Sequence, residues 1–174
     1  MDAFTELYNS FATPLYSYGM KFTRDVTIVE DSMHDLFCTL WTSRERLSQP
    51  SSVKNYLFKS LRNSILRTLT NPVFLVGDDQ KIDFHFELAI DEKLTQKEDL
   101  QYIKSQVQQA LDKLTSRQRE IIYYRFYQNL EFDEIADIMD MQVRATYKLT
   151  SRALETLRSL LPADQRSSAH LRFK

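Results

Sequence analysis

Arg144, Lys148 and Arg152 recur every four residues along VRATYKLTSRALETLRSL (143–160), a spacing that aligns them on one side of a helix. Guanidinium and ammonium groups arrayed in this way donate to phosphate oxygens, and either can also reach the O6 and N7 edge of guanine. A second set stands in the first half, where Lys54, Lys59, Arg62, Asn63 and Arg67 are interleaved with Tyr56 and Phe58. There the cations suit phosphate, and the rings and the amide suit unstacked bases. The same pattern also describes a solvated basic helix with its aromatics turned inward. Chemistry alone leaves these two readings level.

Groups for catalysis do not converge in the sequence. His34, His85 and His170 lie far apart in the sequence. Cys38 is the single cysteine, which excludes an internal disulfide and a cysteine-based zinc cluster and reads as a buried thiol in a reducing cytoplasm. Asp78-Asp79 has only Gly77 beside it, too little for a glycine-rich phosphate cradle. Asp133, Glu134 and Asp137 read as the solvated acidic face of a short helix. The expectation is a protein that is not an enzyme and holds no cofactor or metal.

The elements that must position the cationic sets are helices. Two glycines and four prolines in 174 residues leave long uninterrupted runs of helix formers, and 43% hydrophobic residues allow real cores. The amino terminus lacks the pattern of an export signal, and no apolar run approaches the ~20 residues that span a bilayer. The chain is therefore expected to be cytoplasmic, without membrane insertion. Charge divides the chain in three. Residues 1–70 carry eight basic and seven acidic side chains, 71–99 three and eight, and 100–174 twelve and nine. Two weakly basic flanks thus enclose an acidic linker, and a local field follows such patches rather than the net charge of -1.

In chain order, Phe4, Leu7, Tyr8 and Phe11 form one helical face, and Thr13-Pro14 either closes that helix or begins a second one. Thr27 and Glu30 have the spacing of a capping box ahead of the stripe Val29, Met33, Leu36, Phe37, Leu40 and Trp41, with Trp41 as the expected main anchor of the first core. Pro50, Ser51 and Ser52 offer caps to a helix whose inner face is Val53, Leu57, Leu61 and Ile65. The linker holds enough apolar residues to dock somewhere, with at most one short helix around 85–95. Four helices follow, at about 100–112, 116–127, 132–139 and 143–160, the second opened by a capping box at Thr115–Gln118. In the last helix Tyr147, Leu154, Leu157 and Leu160 are expected inside, and Arg144, Lys148, Arg152 and Arg158 outside. A short helix, a very short turn and a longer helix make the helix-turn-helix plan.

Three blocks carry a family resemblance: VEDSMHDLFCTLW (29–41), SVKNYLFKSLRN (52–63) and LTSRQREIIYYRFYQNLEFDEIADIMDMQVRATYKLTSRALETLR (114–158). Together and in this order they resemble an extracytoplasmic-function (ECF) sigma factor of bacterial RNA polymerase, a group within the sigma-70 superfamily. The resemblance implies an all-α chain of two small helical domains. Residues 1–70 would dock on core RNA polymerase and recognise the minus-10 element as melted single strand. Residues 71–99 would be the acidic linker. Residues 100–174 would carry the helix-turn-helix that reads the double-stranded minus-35 element.

By the same resemblance, Asp31, Asp35, Leu36 and Leu40 map to polymerase binding. Arg46, Ser51, Ser52, Lys54, Tyr56, Lys59, Arg62 and Asn63 map to the loop and helix facing the opened strand. Arg144, Ala145, Thr146, Lys148, Leu149 and Arg152 map to the start of the recognition helix, and Arg117, Arg119 and Arg125 to phosphate positioning. An anti-sigma factor is a partner expected from the family alone, and no homo-oligomer is required. Asp140 stands where the family has a turn glycine, and Glu131 and Gln142 replace serine caps. Ala145 and Leu149 make the reading face more apolar, of a size to meet thymine methyls. The rival functions are a helix-turn-helix regulator that acts without polymerase, and a protein-interaction module that has lost DNA binding.

Overall fold

The computed structural model describes residues 3–44, 52–71, 82–88 and 98–161, and among the described residues all regular structure is helical. The helices are α1 (Ala3–Gly19), α2 (Val26–Ser43), α3 (Val53–Thr70), α4 (Glu98–Asp112), α5 (Ser116–Ile122), α6 (Phe132–Ile138) and α7 (Val143–Leu160), with a π-helical turn (Tyr123–Tyr127) directly after α5. The chain divides between Phe84 and His85 into two compact units, with Asp137–Asp140 grouped with the first.

In the first unit α1, α2 and α3 pack pairwise. Pro14 neither ends α1 nor starts a new helix; it lies inside one helix. A proline within a helix costs about 3 kcal/mol through its missing N–H and ring clash. Burial offsets it, since Leu15 and Tyr18, on the far side of the proline, are fully enclosed. The capping residue of α2 is Asp25, whose carboxylate accepts from the Thr27 N–H at 3.0 Å, so Thr27 lies inside the helix and the expected Thr27–Glu30 box does not form. At α3 the Ser52 hydroxyl accepts from the Asn55 N–H at 3.2 Å, as the serine predicts. The core is built on Leu15, Tyr18, Val29, Leu57, Leu61 and Ile65. Trp41 does not anchor it. The indole is 43% exposed, with the Arg44 guanidinium 4.6 Å from its ring centroid.

Gly19 ends α1 against Val29 of α2 and Ile65 of α3. A β-carbon there would stand 2.6 Å from Val29 Cγ1 and 3.2 Å from Ile65 Cδ1. Gly19→Ala is therefore expected to destabilise the first unit by about 1–3 kcal/mol through overpacking. A lowered thermal midpoint, with the helical circular dichroism unchanged below it, checks this.

In the second unit α5 and α4 pack against α7. The Thr115 hydroxyl accepts from the Gln118 N–H, and the Gln118 side chain accepts from the Thr115 N–H, completing the capping box read from the sequence. The helix then widens into the π turn, closed by Gln128 N–H donating to the Tyr123 carbonyl at 3.0 Å. Burial pushes the Tyr123 phenol up to about 12, the Gln128 side-chain hydrogen bond working against that rise. The ring thus serves as a neutral wall.

Residues 82–88 have no regular structure, so the helix expected around 85–95 is absent over 85–88, and 89–97 lie outside the described residues. The segment is nonetheless docked. Phe84 is fully buried, edge-on to Phe22 in the first unit. Phe86 packs on Tyr123 and Tyr127 in the second. Gln108 accepts from the Leu88 N–H at 3.1 Å and donates to the Phe86 carbonyl at 3.2 Å, as a neighbouring strand would.

Candidate nucleic-acid interface

The first unit presents two outer surfaces. On α3 the inner face holds Leu57, Phe58, Leu61 and Ile65, whereas Tyr56 and Lys59 are half-buried and Asn63 and Arg67 exposed. These four follow one another at three- and four-residue steps, so they share one side of the helix. Lys54 lies off this line, its ammonium 5.8 Å from the Phe58 ring centroid. Arg62 is only 6% exposed, which places it in the unit rather than on the outward face the sequence suggested. Asn55 is buried with it. Val53, expected inside, is 43% exposed. Arg46 and Ser51 lie outside the described residues.

On α2, Asp31 and Asp35 are exposed one turn apart, while Leu36 and Leu40 are buried and hold α2 to the rest of the unit. Beside the two carboxylates an open groove between α1 and α2 is lined by Phe4, Tyr8, Tyr16, His34, Cys38 and Trp41. Cys38 is exposed rather than buried, its sulfur 3.4 Å from His34 Nε2.

The turn between α6 and α7 is tightly specified. Asp140 has φ 53°, the left-handed conformation usually given to glycine and tolerated by aspartate. Asn129, ahead of α6, has the same φ of 53°. Glu131 N–H donates to the Glu134 carboxylate at 2.9 Å, half of a capping box. The Arg125 guanidinium donates to the Leu130 carbonyl at 2.9 Å, pairs with Glu131 at 3.2 Å and lies over the Phe132 ring. Arg125 thus braces the entry to α6. Gln142 precedes α7 without a side-chain capping bond, as its residue type suggests.

Along α7 the side chains sort sharply. Thr146 is fully buried, its hydroxyl donating to the Val143 carbonyl at 2.6 Å, and Thr150 and Ala153 are also enclosed. Ala145 and Leu149 are half-buried. Arg144, Lys148 and Arg152 are exposed on one side, as their spacing predicts, and Arg158 is exposed further along. Arg117 is exposed near the start of α5, whereas Arg119 is buried beside His85 at 3.3 Å. Two members of the outward line were missed. Tyr147 is 54% exposed rather than packed inside, and Ser151 is exposed four residues on. The three- and four-residue repeat through Arg144 includes both, whereas hydropathy points Tyr147 inward. Leu160, also expected inside, is 44% exposed.

Among the described residues no group of three or more histidine, cysteine, aspartate or glutamate side chains is placed to hold a metal ion. The surfaces available are a mixed aromatic-amide-cation face on α3, an acidic and apolar face on α2, and a cationic line on a short-turn second helix. That helix is the part that enters a major groove in helix-turn-helix proteins.

Comparison with known proteins agrees with this geometry. The family model "Sigma-70 region 2" matches residues 7–71, and "Sigma-70, region 4" matches residues 104–157, together more than half of the chain. The RNA polymerase sigma factor SigV of Bacillus subtilis (strain 168) is 25% identical over 164 residues, covering 94% of this chain and 91% of that protein. Among solved structures, the sigma factor RpoE in complex with the anti-sigma factor NepR from Bartonella quintana is similar with a TM-score of 0.63. It is 22% identical, over 94% of this chain and 99% of that one. The structure of CnrH in complex with the cytosolic domain of CnrY matches with a TM-score of 0.57 and 20% identity, over 93% and 89% of the two chains.

The chain belongs to the sigma-70 family and carries regions 2 and 4. It is thus a sigma factor, which directs core RNA polymerase to promoters, and its family is one of non-catalytic transcription factors. No described helix is long and apolar enough to cross a membrane.

Proposed function

We propose that the two units divide promoter recognition, the α3 face gripping an opened strand and the α7 face reading a closed groove. Asp31 and Asp35 on α2 meet core polymerase, with Leu36 and Leu40 supporting them from inside. Tyr56, Lys59 and Asn63, with Lys54 and Ser52 at the helix start and Arg46 and Ser51 earlier in the sequence, contact the non-template strand of the minus-10 element. Arg144, Lys148 and Arg152 contact the minus-35 duplex, Ala145 and Leu149 flank them, and Arg117 secures a phosphate. Thr146, Arg119, Arg125 and Arg62 hold the two faces in shape from within or from their rims. The chain itself performs no catalysis. Nucleotide joining belongs to the polymerase, and the chain works in the cytoplasm beside it. An anti-sigma factor completes the partner list, since RpoE is similar and was solved with one.

The observation that carries this reading is the outward cationic line on a helix whose opposite side is pinned by buried Thr146, Thr150 and Ala153. Its energetic logic needs no side-chain chemistry. Contacts made only to unstacked bases favour the open strand over the duplex, and two modest contacts held on one polymerase act together. Run-off transcription with core polymerase on a library of promoter templates tests it. The expected result is initiation from a subset of templates only when the chain is present. Templates equally silent with and without it would reject the reading.

A further inference from the structure

We propose that Tyr147 is a specificity-determining residue of the duplex-reading face, and that it recognises the 5-methyl group of a thymine. This rests on the reading of α7 as the groove-entering helix. Tyr147 stands at the centre of the outward line, between Arg144 one turn before it and Ser151 one turn after, with Lys148 alongside. A half-exposed tyrosine is common. This one is held in place. Its ring centroid lies 3.9 Å from that of Phe132, with 30° between the planes.

The platform beneath it is itself fixed. The Arg125 guanidinium lies 5.1 Å from the Phe132 centroid and is tied to the Leu130 carbonyl and to Glu131. Thr146, the neighbouring residue, is fully buried, and its hydroxyl lies 3.5 Å from the Phe132 carbonyl, where the first turn of α7 meets the start of α6. Tyr147 thus presents a braced aromatic surface to solvent, 54% exposed, with no core role to explain it.

In the major groove the thymine methyl is the one apolar group that a base pair offers, and aromatic or aliphatic side chains recognise it by contact. Arg144, Lys148 and Arg152 can serve phosphates and guanine edges but gain nothing from a methyl. A rigid ring loses little entropy on contact, so the Phe132–Tyr147 pair is suited to that task. Ala145 and Leu149, the apolar candidates from sequence, are half-buried on the flank of this face. Tyr147 projects where they do not.

The test uses the whole chain bound to core polymerase. A pool of duplexes randomised over ten upstream positions is prepared in two forms, one with thymine and one with deoxyuridine, which differ only by the methyl. Each is put through selection by holoenzyme carrying the parent, Tyr147→Phe or Tyr147→Ala, and the retained sequences are counted. The parent is expected to favour thymine at one position roughly fourfold more than deoxyuridine, about the worth of one buried methyl. Tyr147→Phe keeps that methyl dependence, and Tyr147→Ala loses it while still selecting at the other positions. Equal selection of the two pools by the parent overturns the proposal, as does a methyl dependence that survives Tyr147→Ala. So does an even loss across all sequences in Tyr147→Phe, because the hydroxyl would then be serving a phosphate. The parent and Tyr147→Phe comparisons do not depend on the alanine variant folding. Selection without methyl dependence sinks this inference alone, whereas no polymerase-dependent selection at all sinks the sigma reading of α7 with it.

Discussion

Replacing Arg144, Lys148 and Arg152 together with alanine should lower promoter-dependent initiation on the order of 100- to 1000-fold near physiological salt. All three side chains are exposed on one side of α7, and none fills space between helices, so their removal strips the DNA-facing cations and leaves the core intact. Each phosphate pairing releases counterions and each base pairing contributes about 1–3 kcal/mol, which sets that range. The salt dependence is the sharper reading. The slope of log affinity against log salt should flatten by roughly one for each phosphate left without its cation. Initiation rates measured across a salt series, with the thermal midpoint as control, check both. A parallel fall at every salt concentration would mean the three groups do not meet phosphate.

The second large effect is expected on α2, where Asp31→Lys with Asp35→Lys should weaken competition for core polymerase by about 10- to 100-fold. Like charge placed at a docking surface costs several kcal/mol in unfavourable cases, and rim charges act mainly on association. Both carboxylates are exposed, so the fold should change by no more than about 0.5 kcal/mol. Leu36 and Leu40 make the contrast. Each is buried, so alanine there should cost about 2–5 kcal/mol of stability. A loss of polymerase binding in those variants would then follow unfolding. Paired measurement of thermal midpoint and competition binding separates a docking surface from the core that supports it.

Much of this architecture was legible in the sequence for local reasons. Thr115 and Gln118 specify their own capping box, Ser52 offers the cap that opens α3, and the bounds of α7 follow from its periodicity. The family resemblance implied a turn residue at Asp140, and its backbone is left-handed there. What was misread depends on which neighbour a side chain finds. Hydropathy marks Trp41 and Tyr147 as core, yet the first lies at a groove with Arg44 over it and the second rests on Phe132. Charge marks Arg62 and Arg119 as surface, yet the packed helices enclose both. Thr27 has the spacing of a cap, and Asp25 two residues earlier fills that role. The candidate faces could be placed on helices from sequence. Which residue of each face looks outward needed the packing.

The division of labour can be measured directly by the affinity of reconstituted holoenzyme for two separate probes, a minus-35 duplex and a single-stranded minus-10 oligonucleotide of the non-template strand. Crossed losses are expected. Arg144→Ala with Lys148→Ala weakens the duplex and spares the single strand, and Tyr56→Ala with Asn63→Ala does the reverse. Equal weakening of both probes by either pair, or losses on the opposite probes, would contradict it.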